Sequence, residues 1–330
     1  MLKYLIKRIA VSIVILIGVS MIIYFLIRLM PVDFIQDKIN AMNQGGATLP
    51  QETIDNMYAM YGIGDNTFMG ILGGYFNWLG KLACLDLGES WIKVQPVADV
   101  IKDHMGVSFA VSLIATFFEF MIAIPLGITA ATHQYSLRDY IVTIFVMIGI
   151  SLPSFYFGQM LKDVFAYKLH WFPSSGTIEG AGSQTGIELL PQYFSHFFLP
   201  ILTIVILSIG GRMRMTRTNM LEVLSSDYIR TARAKGLGET KVIYKHAFRN
   251  TLIPLVTSLA GLLPSLFSGA IITEQVFGLQ GIGNVALDAM NRGDIPFIMG
   301  YNMFLALLSV LGVLLADLMY AAVDPRVKLE

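Results

Sequence analysis

Six runs of apolar residues divide the chain, at about 9–30, 107–131, 139–161, 197–215, 251–273 and 297–320. Each is long enough to cross a hydrocarbon core, which takes about 20 mostly apolar residues. The pattern predicts an all-α polytopic membrane protein with six transmembrane helices. Lys3, Lys7 and Arg8 precede the first run in the manner of a cleaved leader. That run is too long for a leader core and no small-x-small site follows it, so a retained anchor is expected.

Two polar stretches interrupt this pattern. Residues 31–106 contain TLPQETIDNMYAMYG, with a cap, an early proline and a terminal glycine, which predicts one helix, and FMGILGGYFNWLGKLA, which predicts a weaker second one. Tyr75, Trp78 and Trp91 suit a membrane interface. Residues 212–250 contain DYIRTARAKG, where Ser225, Ser226 and Asp227 offer N-cap chemistry and Gly236 and Gly238 offer stops. A helix of about two and a half turns is expected there. Ala232 and Ala234 leave its surface low in relief, and Arg230, Arg233 and Lys235 fringe it, a combination suited to a groove of another protein. A second helical stretch, 239–250, carries Lys241, Lys245 and Arg249 four residues apart, with Ile243, Tyr244, Ala247 and Phe248 on other faces. That pattern suits a membrane surface or a partner, and a solvated loop facing lipid headgroups is the plainer reading of the whole insert.

Composition and charge orient this layout. Of 330 residues 55% are hydrophobic and 14% charged, against roughly 25% charged in a soluble domain; mean hydropathy is +0.64. Net charge is zero, so nothing draws nucleic acid. Cys84 is the sole cysteine, which excludes an internal disulfide and a multi-cysteine metal site. The segment 31–106 holds four lysines against nine acids, whereas 212–250 holds nine basic residues against three acids. The positive-inside tendency therefore puts 212–250 in the cytoplasm, 31–106 outside and both termini inside. The expected division is a cytoplasmic end and first span over 1–30, an extracytoplasmic segment over 31–106, and a five-helix core over 107–330 carrying the cytoplasmic loop 212–250.

Candidate chemistry is sparse. No GxxxxGK[ST] phosphate loop occurs, the nearest stretch, GLGETK, having the wrong spacing, and neither HExxH nor GxSxG appears. Gly62-Ile63-Gly64-Asp65 reads as a turn. Glu119, Asp317 and Glu274 lie in or beside apolar runs, where a carboxylate either lines a pathway or is a buried partner of a hydroxyl or basic group. For Glu119 the buried-partner reading is preferred. Pro125, Pro153, Pro254 and Pro264 can kink spans around a cavity, and Pro254 can instead sit in the first turn of its span.

The stretch DYIRTARAKG, followed by the NTLIP of 250–254, resembles the cytoplasmic EAA loop of ATP-binding-cassette importer permeases, in the oligopeptide, dipeptide and nickel branch. Arg230-Thr231-Ala232 stands where that loop's Glu-Ala-Ala would be, and Gly236 matches its glycine. The opening KYLIKRIAVSIVILIGVSMIIYFLIRLMP, DLGESW with PVADVI, SLPSFYFG, KLHWFPSSG, EQVFGLQGIG and DLMYAAVDPRV resemble the same branch in family order. Lys162 and Asp163 depart from it, pointing to an earlier membrane exit or an interaction peculiar to this protein. The resemblance implies a type I ABC importer permease fold in a bacterial or archaeal cytoplasmic membrane. It makes Asp227, Tyr228, Arg230, Thr231, Ala232, Arg233, Ala234, Lys235 and Gly236 the coupling helix that enters a cleft on an ATPase. The implied partners are a second homologous permease chain, two ABC ATPase subunits or domains, an extracytoplasmic solute-binding protein and membrane lipid. No cofactor is implied on this chain, ATP and Mg being held by the ATPases. Peptide is the implied cargo, with nickel or another small solute as the alternative. The outer segment then contributes to the mouth near the docked binding protein, or else caps the first span. A self-sufficient secondary transporter calls for ion-coupling residues in broken helices or an internal repeat, and neither is seen in the sequence.

Overall fold

A computed structural model describes residues 2–28, 40, 50–52, 67–176 and 190–323. The helix expected within 48–62 lies almost wholly outside the described residues. Among those described, five helices are long and apolar enough to cross a membrane, and a sixth crossing is completed if one bent pair counts as a single span. The chain divides into two compact units, residues 1–104 with 285–308, and residues 105–284 with 309–330.

The first unit starts with α1 (Leu2–Arg28). Only 11% of its apolar window is buried, which suits a span facing lipid. Against its C-terminal half packs α2 (Phe68–Ala83), the weaker of the two helices expected in the polar segment. Thr67 caps α2 by accepting the Gly70 N–H. Tyr75 is fastened to Ser20 at 3.0 Å and stacks edge-on against Tyr24, with Trp78 alongside. A hairpin of β1 (Glu89–Ser90) and β2 (Gln95–Pro96) follows, pairing Glu89 with Pro96. Buried Asp294 pins it: the carboxylate accepts the Ser90 hydroxyl at 2.5 Å and the N–H groups of Trp91, Ile92 and Phe297 at 3.1, 3.2 and 3.3 Å.

The second unit is built on α3 (Val97–Thr132) from residue 105 onward, α4 (Leu137–Ser151) and α6 (Leu190–Leu224). Small residues let these helices touch, as membrane packing requires where lipid is as apolar as leucine. A Cβ on Gly127 of α3 would stand 2.6 Å from Thr216, and one on Gly149 of α4 would stand 2.9 Å from the Ile206 carbonyl, so both positions admit only glycine. The third apolar run, expected to be one span, is bent at 96° into α4 and α5 (Ser154–Lys162), which together make the sixth crossing if they count as one span. Leu152 is extended, as a residue before proline must be, and Pro153 stands at the N-cap of α5. Hydropathy alone does not register such a corner. A π-helical segment, Asp163–Lys168, continues α5.

The fifth run is also segmented, into α8 (Phe248–Leu259), α9 (Leu262–Phe267) and α10 (Ile271–Phe277). Pro254 lies inside α8 rather than in its first turn, because helical structure begins upstream, with a turn at Glu239–Lys241 and a π-helical segment at Val242–Ala247. Finally α11 (Ile282–Arg292) and the apolar α12 (Ile295–Val323) complete the described chain.

Candidate functional site

Between α6 and the π-helical segment lies α7 (Asp227–Ala234), within the stretch expected to be helical. Its stop is a left-handed cap. Gly236 has φ +76°, its N–H reaches the Arg233 carbonyl at 2.9 Å, and the Leu237 N–H reaches the Ala232 carbonyl at 3.4 Å. Those two reverse bonds satisfy carbonyls that the helix leaves open, and glycine takes that backbone conformation without strain. The start differs from expectation. Ser226 occupies the N-cap, yet its hydroxyl donates back to the Val223 carbonyl and does not cap α7.

One face of α7 is sealed against its own chain. Ile229 is fully buried and Ala232 is 7% exposed, in a cluster with Ile128, Ala131, Met220, Val242 and Ala247. Ala232 therefore anchors the helix and is not part of an outward surface, a correction to the sequence reading; Ala234 is the small outward residue. The exposed face carries Arg230, Thr231 and Ala234, with Tyr228 and Lys235 at its margins. Asp227 pairs with Arg230 at 3.6 Å, an exposed contact of little energetic weight. Arg233 is engaged instead by Glu239, at 2.8 and 3.3 Å, and so staples α7 to the next turn. Beyond it Lys241, Lys245 and Arg249 are exposed, while Val242 and Ala247, five residues apart as a π-helix spaces its faces, are buried.

Behind α7, two arginines that the sequence assigned to the cytoplasmic loop belong to the helix bundle, because α6 runs on to Leu224. Arg217 grips buried Asp139 of α4 with two bonds, at 3.1 and 2.9 Å, and Asp139 also accepts the N–H of Tyr135. Arg212 donates through Nε to Glu119 of α3 at 3.0 Å and through Nη1 to Ser258 of α8 at 2.8 Å. The Phe120 ring lies 4.3 Å from its Cζ. Glu119 is thus a buried partner of a basic group, the reading preferred from the sequence.

Residues 123–329, which include α7, Arg212 and Ser258 and begin just after Glu119 on α3, match the family described as binding-protein-dependent transport system inner membrane component. This chain belongs to that family. It is 34% identical to the oligopeptide transport system permease protein AppB of Bacillus subtilis, over 99% of this chain and 100% of that one. Identity to the dipeptide transport system permease protein DppB of Alkalihalophilus pseudofirmus is 32%, over 99% of this chain and 100% of that one. A putative peptide transport system permease protein of Brucella abortus is 32% identical over the full length of both chains. A chain of the inward-facing MetNI methionine ABC transporter superposes with a TM-score of 0.49 and 18% identity, covering 68% of this chain and 96% of that one.

In this permease the remaining candidate carboxylates are placed differently from Glu119. Glu274 is 2% exposed and no cation pairs with it among the described residues; Oε1 accepts the Ser108 hydroxyl at 2.6 Å and the Ala270 N–H at 3.1 Å, and Oε2 accepts the Asn284 N–H at 3.0 Å. Ser108 in turn accepts the Ile282 N–H at 2.9 Å. The EQVFGLQGIG motif supplies this cradle: a Cβ on Gly281 would stand 2.5 Å from both Glu274 and Ser108, and one on Gly283 would stand 2.9 Å from Glu274. A wholly enclosed, saturated carboxylate does not line an open pathway. Asp317 is half-buried on α12. Lys162 donates to the Val276 carbonyl at the end of α10 at 2.9 Å, and Asp163 accepts the Gln159 amide at 3.0 Å. Lys162 thus places a cation at a helix C-terminus.

Proposed function

We propose that this permease forms half of the translocation pathway of an ATP-driven importer for peptides, with a second homologous permease as the other half. An extracytoplasmic binding protein delivers the peptide, and two partner ATPases bind and hydrolyse ATP. The observation that carries the cargo is full-length similarity to permeases named for oligopeptide and dipeptide transport. α7 docks on an ATPase through Arg230, Thr231, Ala234, Tyr228 and Lys235, the face its own chain leaves exposed, while Ile229 and Ala232 hold it to the bundle. The basic loop that follows α6, from Ser225 on, faces the cytoplasm and the acidic segment 31–106 faces outward.

Proteoliposomes holding this chain with its co-purified partners test the reading. With ATP on the α7 side and labelled peptide on a binding protein at the other, peptide accumulates. Uptake of nickel without peptide overturns the cargo, and ATP hydrolysis by this chain alone overturns the division of labour. Orientation is read from single cysteines at Gln44 and Glu239 in a Cys84-free background. An impermeant thiol reagent labels the first from outside only and the second from inside only, and the reverse pattern defeats the topology.

A further inference from the structure

α6 is continuous from Leu190 to Leu224, and the Ser225–Ser226 turn alone separates it from α7. Arg212 therefore rides on the rod that leads into α7, roughly 20 Å along it from that turn at 1.5 Å per residue. On that rod Arg212 is where three helices meet: Glu119 of α3 at 3.0 Å, Ser258 of α8 at 2.8 Å, and its own helix. We infer that the Glu119–Arg212–Ser258 cluster passes displacement of α7 to α3 and α8, as a positioning cluster and not a substrate contact. The inference rests on the proposed docking of α7.

The physical reason lies in how contacts respond to sliding. Apolar contacts between helices are non-directional and can be exchanged as one helix slips against another. A buried ion pair resists a gradual slip. The side chains of Arg212 and Glu119 are 14% and 10% exposed, so separation strands a charge in an apolar interior. Either α3 and α8 follow α6, or the bond breaks completely. Phe120 restricts Arg212 further by covering one face of its guanidinium. The neighbouring arginines do not offer this junction: Arg217 binds the first turn of α4, and Arg214 donates to Met147 of α4 at an exposed position.

The deciding measurement is ATP hydrolysed per peptide imported, in proteoliposomes of the full importer, alongside the amount of ATPase that co-purifies. A merely structural role lowers the yield of assembled complex and leaves that ratio unchanged. The double variant Glu119→Leu/Arg212→Met removes the pair without leaving an unpaired charge. It is expected to retain the ATPase and to raise the ratio severalfold, as futile hydrolysis replaces coupled transport. Ser258→Ala removes one arm and no charge, and is expected to raise the ratio less. An unchanged ratio in the double variant overturns the inference. If the double variant fails to insert, Ser258→Ala decides by the same ratio, a rise supporting the inference and no change overturning it. The docking of α7 is judged separately, by ATPase co-purification with Tyr228→Ala and Ala234→Glu. Normal retention and transport in those two variants defeat the α7 reading. Loss of the ATPase there, with a wild-type ratio in the Glu119 and Ser258 variants, defeats this inference alone.

Discussion

Glu119 and Glu274 are both glutamates buried in or beside membrane spans, and the permease satisfies them in opposite ways. Glu119 is answered by one long side chain from another helix, with a hydroxyl and an aromatic ring behind it. Glu274 is answered chiefly by backbone: the Ala270 and Asn284 N–H groups, with Ser108 bonded between it and the Ile282 N–H. An arginine can be exchanged for an apolar residue, whereas backbone N–H groups remain whatever side chain is substituted. The first arrangement is therefore a joint and the second a fixture.

The largest expected effect tests the fixture. Glu274→Leu combined with Ser108→Ala leaves the Ala270, Asn284 and Ile282 N–H groups without their acceptors, and each buried donor so stranded costs about 1–3 kcal/mol. The double variant is expected to lose several degrees of thermal midpoint in detergent, or to fail to accumulate. Gly281→Ala acts on the same point by overpacking, with a Cβ 2.5 Å from Glu274. If both variants melt with the wild type, the cradle is not what holds the α10–α11 turn.

Next in size is the anchor of α7. Ile229→Ala removes a fully buried side chain from the cluster with Ile128, Met220 and Val242, and large-to-small changes of this kind cost about 2–5 kcal/mol. Because α7 is short and held by two buried residues, the loss is expected as local opening. Faster amide exchange over 227–237, with the spans unchanged, is the expected signature. Equal exchange across the two proteins refutes the anchoring role.

What the sequence yielded about α7 follows a physical divide. Gly236 was legible as its stop because a left-handed cap is a local backbone requirement, met at φ +76°. The inward turn of Ala232 was not, since Ala232 and Ala234 are alike until Met220 and Val242 cover one of them. The six apolar runs were legible from length alone, and the 96° corner at Pro153 was not, since proline marks a break without giving its angle. Arg212 was counted with the loop because the fourth apolar run fades there, although α6 continues to Leu224 and carries it to Glu119. The partner of Lys162 is the Val276 carbonyl, far along the chain, and no local pattern announces it.

A smaller effect on stability sharpens the contrast between joint and fixture. Replacing a buried ion pair by apolar residues of similar size is often neutral or stabilising, by about 1–4 kcal/mol. Glu119→Leu/Arg212→Met is therefore expected to melt at or above the wild-type temperature, while Glu119→Leu alone melts below it because Arg212 is left unpaired. Calorimetry or a thermal shift assay on the three proteins decides. A double variant as unstable as Glu274→Leu/Ser108→Ala erases the distinction between the two carboxylates.

The smallest effect belongs to the exposed basic row. Lys245 sits in the π-helical segment with its side chain exposed, and no hydrogen bond or ion pair holds it among the described residues. An exposed charge contributes less than about 1 kcal/mol to folding and is screened by salt. Lys245→Ala is expected to leave the thermal midpoint within error and to alter ATPase co-purification only slightly, and more at low ionic strength than at high. Val242→Ala, three residues away on the buried side, removes a fully buried side chain from the cluster that seats α7 and is expected to cost more. Measuring both variants at two salt concentrations separates the two sides of the segment. If Lys245→Ala proves the more damaging and its effect persists in high salt, the lysine is part of a desolvated contact, and the boundary of the docking face extends from α7 along the π-helical segment.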